Sequence, residues 1–105
     1  MVLHTMCASQ REEVESMLRK REIYFFTQKV SCRKMNIFFG NPDCVEVIKS
    51  FGNISLSDYT PEQDFILGIM LGYNSDIQCK RYLSKRGQAK QHARRRPYIA
   101  YKNVL

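Results

Sequence analysis

The sequence lacks the features that mark membrane-spanning and secreted proteins. Its longest apolar run, at 65–71, is far shorter than the roughly 18 residues of a membrane span. The N-terminus has neither the basic start nor the apolar stretch of a signal peptide. We therefore expect a cytoplasmic protein, and a chain of 105 residues is expected to have a single core.

Patterns for metal ions and disulfides are also missing. The chain has four cysteines without a C-x-x-C pair and only two histidines, His4 and His92, near opposite ends. Structural zinc sites usually show locally paired ligands, so the sequence predicts no zinc site and no other cofactor. Widely spaced cysteines in a reducing compartment are expected to be free thiols.

Catalytic motifs are absent as well. There is no G-x-S-x-G, P-loop, H-E-x-x-H or dinucleotide fingerprint. Cys44 falls in the first turn of a predicted helix, where the dipole favours a reactive thiolate, but it shares the inner face of that helix with Ile48 and Phe51. We therefore favour a buried core cysteine at Cys44, and likewise at Cys79. We expect no enzymatic activity.

Acidic residues are missing from the end of the chain, and this divides its charge. Residues 1–83 carry ten Lys/Arg and ten Asp/Glu, whereas residues 84–105 carry seven Lys/Arg and no acid, which accounts for the net charge of +7. We predict one α+β domain over 1–83 and a basic tail over 84–105, either disordered or partly helical. The tail could contact phosphates or an acidic protein, or simply solvate the chain end. The candidate contact residues are Lys85, Arg86, Lys90, Arg94, Arg95, Arg96 and Lys102.

Short aromatic and β-branched segments alternate with capped helices in the first half of the chain. The three predicted strands are 2–6, 23–30 and 35–39. Ser9 and Glu12 form a capping box that begins a helix between the first two strands. A strand–helix–strand step favours parallel neighbours, and the short turn after the second strand favours an antiparallel hairpin. We therefore predict a small mixed three-stranded sheet.

Capping signals predict three more helices, which gives the order β-α-β-β-α-α-α. Asn41 as N-cap and Pro42 at the first helical position begin one of them. Asn74 or Ser75 begins the last, which is expected to reach Leu83 before the apolar pattern fades.

The middle one of these helices is the most apolar part of the chain. Thr60, Pro61 and Gln63 give it a capping box with proline at the first position. Residues 65–71 are then apolar on nearly every side, so this helix must be covered on more than one side. Gly68 lies within it and is expected to permit close helix packing.

Adjacent aromatic residues indicate a sheet that is apolar on both faces, because neighbouring side chains of a strand point in opposite directions. One layer of helices would leave a large apolar face exposed, which monomers rarely tolerate. Either helices cover both faces or a second copy of the chain covers one. The candidate residues for a dimer interface or for core packing are Phe25, Phe26, Phe38, Phe39, Phe65, Gly68 and Ile69.

Three segments carry a resemblance to a known family. They are VLHTM at 2–6, KMNIFFGNPDCVEVIKSFG at 34–52, and SLSDYTPEQDFILGIMLGY at 55–73 followed by QCKRYL. Over about the first four-fifths of the chain, they resemble the small bacterial family called domain of unknown function twenty-twenty-three. The resemblance implies three strands with several helices, a homodimer and no assigned activity. Members of that family begin upstream of the VLHTM segment, so the resemblance implies that this chain lacks an N-terminal segment. It also implies an occurrence beside flavodoxins, which are acidic electron carriers.

Three functions are compatible with these patterns. The leading hypothesis is a small non-enzymatic homodimer that serves as an interaction or regulatory module. The first alternative is nucleic-acid binding through the basic tail. The second is a redox accessory protein that docks an acidic carrier such as flavodoxin, using Cys44 or Cys79.

Overall fold

The computed structural model of the protein describes the fold of residues 1–93 and the side chains of residues 1–88. Three strands and four α-helices follow each other in the predicted order, so the α+β class is confirmed. They are β1 (Val2–Cys7), α1 (Arg11–Lys20), β2 (Tyr24–Lys29), β3 (Lys34–Gly40), α2 (Pro42–Ser50), α3 (Pro61–Met70) and α4 (Ser75–Ala93). Short 3-10 turns lie at Ala8–Gln10 and Leu56–Asp58. Among the helices of this described part, none is long and apolar enough to cross a membrane.

The sheet has the strand order β1-β3-β2, and both of its strand pairs are antiparallel. The prediction of a mixed sheet was therefore wrong. β1 and β2 do run in the same direction, as a strand–helix–strand step requires, but they are not neighbours. The hairpin brings β3 back into the position between them, which gives a split β-α-β arrangement.

β3 occupies the centre because its side chains are buried on both faces of the sheet. Met35 and Ile37 pack against α1 on one face, whereas Phe38 packs against α2 and α3 on the other. Phe25 and Phe39 join the α1 side, and Phe26 joins the side of α2 and α3. Helices therefore cover both faces within one chain, so the predicted alternative of a second copy on the sheet is not needed.

The helix starts were mostly predicted correctly. The Thr60–Gln63 capping box is complete in both directions, and the Asn41 side chain accepts from the backbone of the first turn of α2. Asn74 caps α4 by accepting from the backbone N–H of Ile77 at 3.1 Å. The capping box predicted at Ser9 and Glu12 was wrong, because Ser9 lies inside a 3-10 turn and α1 begins two residues later without a side-chain cap.

α3 and α4 form an antiparallel hairpin, since the residues in contact run in opposite directions along the two helices. Gly68 packs against Gln78, while Phe65, nearer the start of α3, packs against Tyr82. A Cβ atom added at Gly68 would lie only 2.1 Å from Oε1 of the buried Gln78. Gly68 therefore permits the close helix packing that its sequence context predicted. α4 also continues through Ala93, ten residues beyond its expected end at Leu83.

We predict that the effect of Gly68→Ala on stability changes sign with residue 78. In the native background, the new methyl group displaces the flexible end of the buried Gln78 side chain, and we expect the free energy of unfolding to fall by up to about 1 kcal/mol. In a Gln78→Ala background the collision is gone, and the same change should raise stability by about 0.5–1 kcal/mol through helix propensity. Denaturant unfolding of the four proteins measures both effects.

Gly87→Ala is the matched control for this cycle, because Gly87 lies within α4 and a Cβ atom there meets nothing within 4 Å. It should be mildly stabilising in both backgrounds. Equal effects of Gly68→Ala with and without Gln78 would contradict the packing described above.

Candidate functional site

The most distinctive surface of the described part of the chain is an apolar groove along one side of the α3–α4 hairpin. We call it the hairpin groove; its volume is about 520 Å³. Its apolar lining residues are Phe65, Ile66, Cys79, Tyr82 and Leu83, with Glu62 at the edge. Leu83 is 64% exposed, although leucine is normally among the most buried residue types.

Apolar exposure extends beyond the hairpin groove to the rest of the hairpin. Ile69 is 40% exposed and lies three residues from Ile66, which places both on the same side of α3. Tyr73, in the loop between the helices, and Ile77, in the first turn of α4, are exposed as well. The sequence predicted that α3 must be covered on more than one side, and the residues that the structure describes leave this part of it uncovered.

Tyr82 organises the polar edge of the hairpin groove. Its ring packs against Phe65 at a centroid distance of 5.4 Å, and its hydroxyl donates to Oε2 of Glu62 at 3.0 Å. Nη1 of Arg86 donates to the same hydroxyl at 2.9 Å. Among the residues that line the groove, Glu62 is the only acid, and its carboxylate already accepts a hydrogen bond from Tyr82.

Asp64 holds the two helices together beside a second, more polar depression. Arg81 donates to its carboxylate from Nε at 2.8 Å and from Nη2 at 3.1 Å, and Nζ of Lys85 lies 3.3 Å away. The hydrogen bonds from Arg81, with the charge of Lys85, hold the pKa of the Asp64 carboxyl below its ordinary value. These bonds fix the pairing of α3 with α4 and hence the shape of the groove on the neighbouring side.

The residues predicted for a dimer interface or for the core fall into two groups. Phe38 is fully buried, and Phe25, Phe26 and Phe39 pack around the sheet, so these four belong to the core. The other three lie on α3: Phe65 lines the hairpin groove, Gly68 packs on Gln78, and Ile69 is exposed beside the groove.

The predicted basic contact residues are only partly described. Lys85 pairs with Asp64 and Arg86 donates to Tyr82, so both take part in the hairpin itself. Lys90 belongs to α4, but its side chain lies outside the described part, as do Arg94, Arg95, Arg96 and Lys102. The contribution of these residues to nucleic-acid or acidic-partner binding stays a prediction.

The two candidate cysteines occupy different environments. Cys44 is half-buried in the first turn of α2, where its backbone N–H donates to Oδ1 of Asn41 at 3.3 Å. Cys79 is exposed in the hairpin groove, so the expectation of a buried core position was wrong for it. The reason is that Gln78, one residue earlier, takes the position on α4 that faces α3. In residues 1–88, no three His, Cys, Asp or Glu side chains come close enough together to hold a metal ion.

Sequence reasoning did not identify Ile66, Cys79, Tyr82 and Leu83 as one surface. The spacing of three and four residues between Cys79, Tyr82 and Leu83 was the available signal, since it places them on one side of a helix. This spacing does not show which side of α4 faces α3.

We predict that Asp64→Asn destabilises the protein in a pH-dependent way. Because the folded-state pKa of Asp64 is lowered, its contribution is fully present above its ordinary value of 3.8 and is lost as the pH falls through the folded-state pKa. The difference in free energy of unfolding from the native protein should be up to about 1 kcal/mol at neutral pH and shrink towards zero in acid. Urea unfolding across pH 2–7 measures it.

Asp58→Asn is the control, since Asp58 is an exposed aspartate without an ion pair among the described residues. A loss in Asp64→Asn that is equally large in acid and at neutral pH would show that the carboxylate charge is not responsible.

The comparison with protein families gives a match that agrees with the resemblance noted from the sequence. The match covers residues 1–85, from β1 into α4, and therefore includes the hairpin groove. No curated protein matches the chain. Because the match covers most of its length, the chain belongs to the family described as Protein of unknown function (DUF2023).

Proposed function

We propose that this protein is a non-enzymatic interaction module that forms a homodimer through the hairpin groove. The observation that carries the proposal is the exposure of adjoining apolar side chains on α3 and α4, including Ile66, Ile69 and Leu83. Contiguous apolar patches of this kind on a folded protein mark interaction surfaces more often than chance.

A second copy of the chain is the partner that fits this surface best. In a two-fold symmetric dimer each groove packs against an identical one, so two antiparallel hairpins would form a four-helix arrangement with a shared apolar core. α4 has 19 residues and is about 28 Å long, which offers several turns for such packing. The lining is apolar apart from Glu62, so the net positive charge of the chain is not concentrated where two copies would meet.

The proposal requires that two copies contact each other through the hairpin groove and not through a face of the sheet. The aromatic side chains of the sheet are already covered by α1 on one face and by α2 and α3 on the other. In contrast, α4 packs mainly on α3, so much of its surface has no partner within residues 1–88. A dimer through the hairpin would cover both α4 and the exposed side of α3.

We expect Leu83→Glu and Ile66→Glu to convert the dimer into a folded monomer. Each change places one charge per subunit, two in all, in the apolar interface without a partner of opposite charge, which should weaken the dimer at least a hundredfold (about 2.7 kcal/mol). Sedimentation velocity at micromolar concentration measures the mass, and circular dichroism checks that the fold is kept.

Val47→Glu is the matched control, because Val47 is a partly exposed residue on the surface of α2, away from the hairpin groove. This variant should stay dimeric. A native protein that is monomeric at these concentrations, or groove variants that remain dimeric, would reject the proposal.

Nucleic-acid binding through the basic tail is the alternative proposal. Lys85 and Arg86 are engaged by Asp64 and Tyr82, so most phosphate contacts would have to come from the residues beyond them. Comparison of the full chain with a 1–93 truncation, which keeps α4 whole, tests this alternative directly. Binding that falls steeply with salt and disappears in the truncation would support it, while absent or salt-insensitive binding would reject it.

A further inference from the structure

A row of polar side chains crosses the sheet on the face that α2 and α3 cover. Asn36 on β3 is the register partner of Thr5 on β1 and of Gln28 on β2. Two residues away on each strand, the same face carries an entirely apolar row: Leu3, Phe38 and Phe26. The polar row is therefore a local departure from an otherwise apolar face of the sheet.

The two amides of this row are deeply buried. Asn36 is 5% exposed and Gln28 is 4% exposed. Buried amides are nearly always hydrogen-bonded, because an unpaired polar group loses its bonds to water without compensation. If the row has a purely structural role, the protein itself should supply hydrogen-bond partners for both amides.

Within the described residues, only part of the hydrogen-bonding capacity of each amide is used. Thr5 Oγ1 donates to Oδ1 of Asn36 at 2.7 Å, and Nε2 of Gln28 donates to the backbone oxygen of Ile54. Among the described residues, no side-chain hydrogen bond reaches the Asn36 amide nitrogen or Oε1 of Gln28. If the Asn36 amide is turned, Thr5 accepts from its nitrogen, and one N–H of Asn36 still has no acceptor.

These amides line a cavity of about 410 Å³ between the sheet and the loop that follows α2. Thr5, Gln28, Lys29 and Asn36 line it from the sheet, Val30 lines it directly after β2, and residues 53–56 line it from the loop. The bond from Gln28 to Ile54 and the packing of Leu56 against the core hold this loop in place. The volume lies within the range of small-molecule sites, and the charged residue of the lining is Lys29, at the end of β2.

The pattern of donors and acceptors restricts the ligand. Asn36 presents an N–H donor, and Gln28, on the adjacent strand, presents a carbonyl acceptor. A group that matches both has an acceptor and an N–H donor side by side, which is the edge of a cis amide. A carboxylate or phosphate could pair with Lys29, but it offers acceptors only and would face Oε1 of Gln28 without a proton to donate.

We infer that this cavity binds a small uncharged ligand through a cis-amide edge that pairs with Asn36 and Gln28. That edge occurs in nucleobases such as uracil and in primary carboxamides such as nicotinamide. The site lies on the sheet, away from the hairpin groove, so it does not depend on the proposed dimer.

The test is titration of the full-length, ¹⁵N-labelled protein with four compounds, followed by NMR. Uracil and nicotinamide carry the cis-amide edge, whereas 1,3-dimethyluracil has no N–H donor and nicotinate has a carboxylate in its place. We expect saturable shifts around residues 53–56 with uracil, nicotinamide or both. We also expect 1,3-dimethyluracil to bind at least tenfold more weakly than uracil, or nicotinate at least tenfold more weakly than nicotinamide, because each lacks the cis-amide edge. Binding of uracil alone identifies a nucleobase ligand, and binding of nicotinamide alone identifies a carboxamide.

Two variants connect binding to the buried amide. Asn36→Asp removes the N–H donor. Asn36→Leu removes all polar atoms of the side chain and suits an apolar core. It therefore serves as the folded variant if the buried carboxylate of Asn36→Asp prevents folding. Gln10→Glu makes the same amide-to-acid change at an exposed position outside the cavity lining and should bind as the native protein does. Either Asn36 variant, when folded, should bind at least tenfold more weakly. Absence of saturable shifts with both amides, equal binding of their counterparts, or native affinity in a folded Asn36 variant would overturn the inference.

Discussion

The burial of β3 on both faces is the constraint on which the rest of the structure depends. A strand that is apolar on both sides has to lie in the centre of the sheet and needs cover above and below. α1 provides that cover on one face, and α2 and α3 provide it on the other. Three of the four helices are thereby committed to the sheet. Within the described residues α4 packs mainly against α3, and this explains why the hairpin carries an adjoining set of exposed apolar side chains.

α3 connects these two parts because it meets different demands on different sides. Leu67, Met70 and Leu71 pack into the core beneath the sheet, and Gly68 receives Gln78 of α4. Ile66 and Ile69 then remain on the outside. A helix that is apolar on nearly every side fits this position, since a core, a helix and a partner surface each use a different side of it.

Local signals of the sequence predicted the fold well, and non-local ones did not. The caps at Asn41 and Thr60 depend on residues within one turn, so they could be read directly, as could the number and order of elements. The neighbours of a strand depend on contacts between distant residues, and the strand–helix–strand step alone did not show that β3 would separate β1 from β2. The cap at Ser9 failed for a related reason, because Ala8 is tied to Arg33 across the sheet and the chain turns there before α1 begins.

The same distinction applies to the two surfaces with functional potential. The apolar surplus of α3 was visible in the sequence, but the groove exists only once the side of α4 that faces α3 is known. The row of Thr5, Asn36 and Gln28 is still less predictable, because its members are brought together by register across three strands. An asparagine in the middle of β3 is an unfavourable choice for a doubly buried strand, whereas Phe38, two residues along on the same face, is apolar and fully buried. A buried polar group whose hydrogen bonds the described residues do not complete is what the inferred binding role of this row requires.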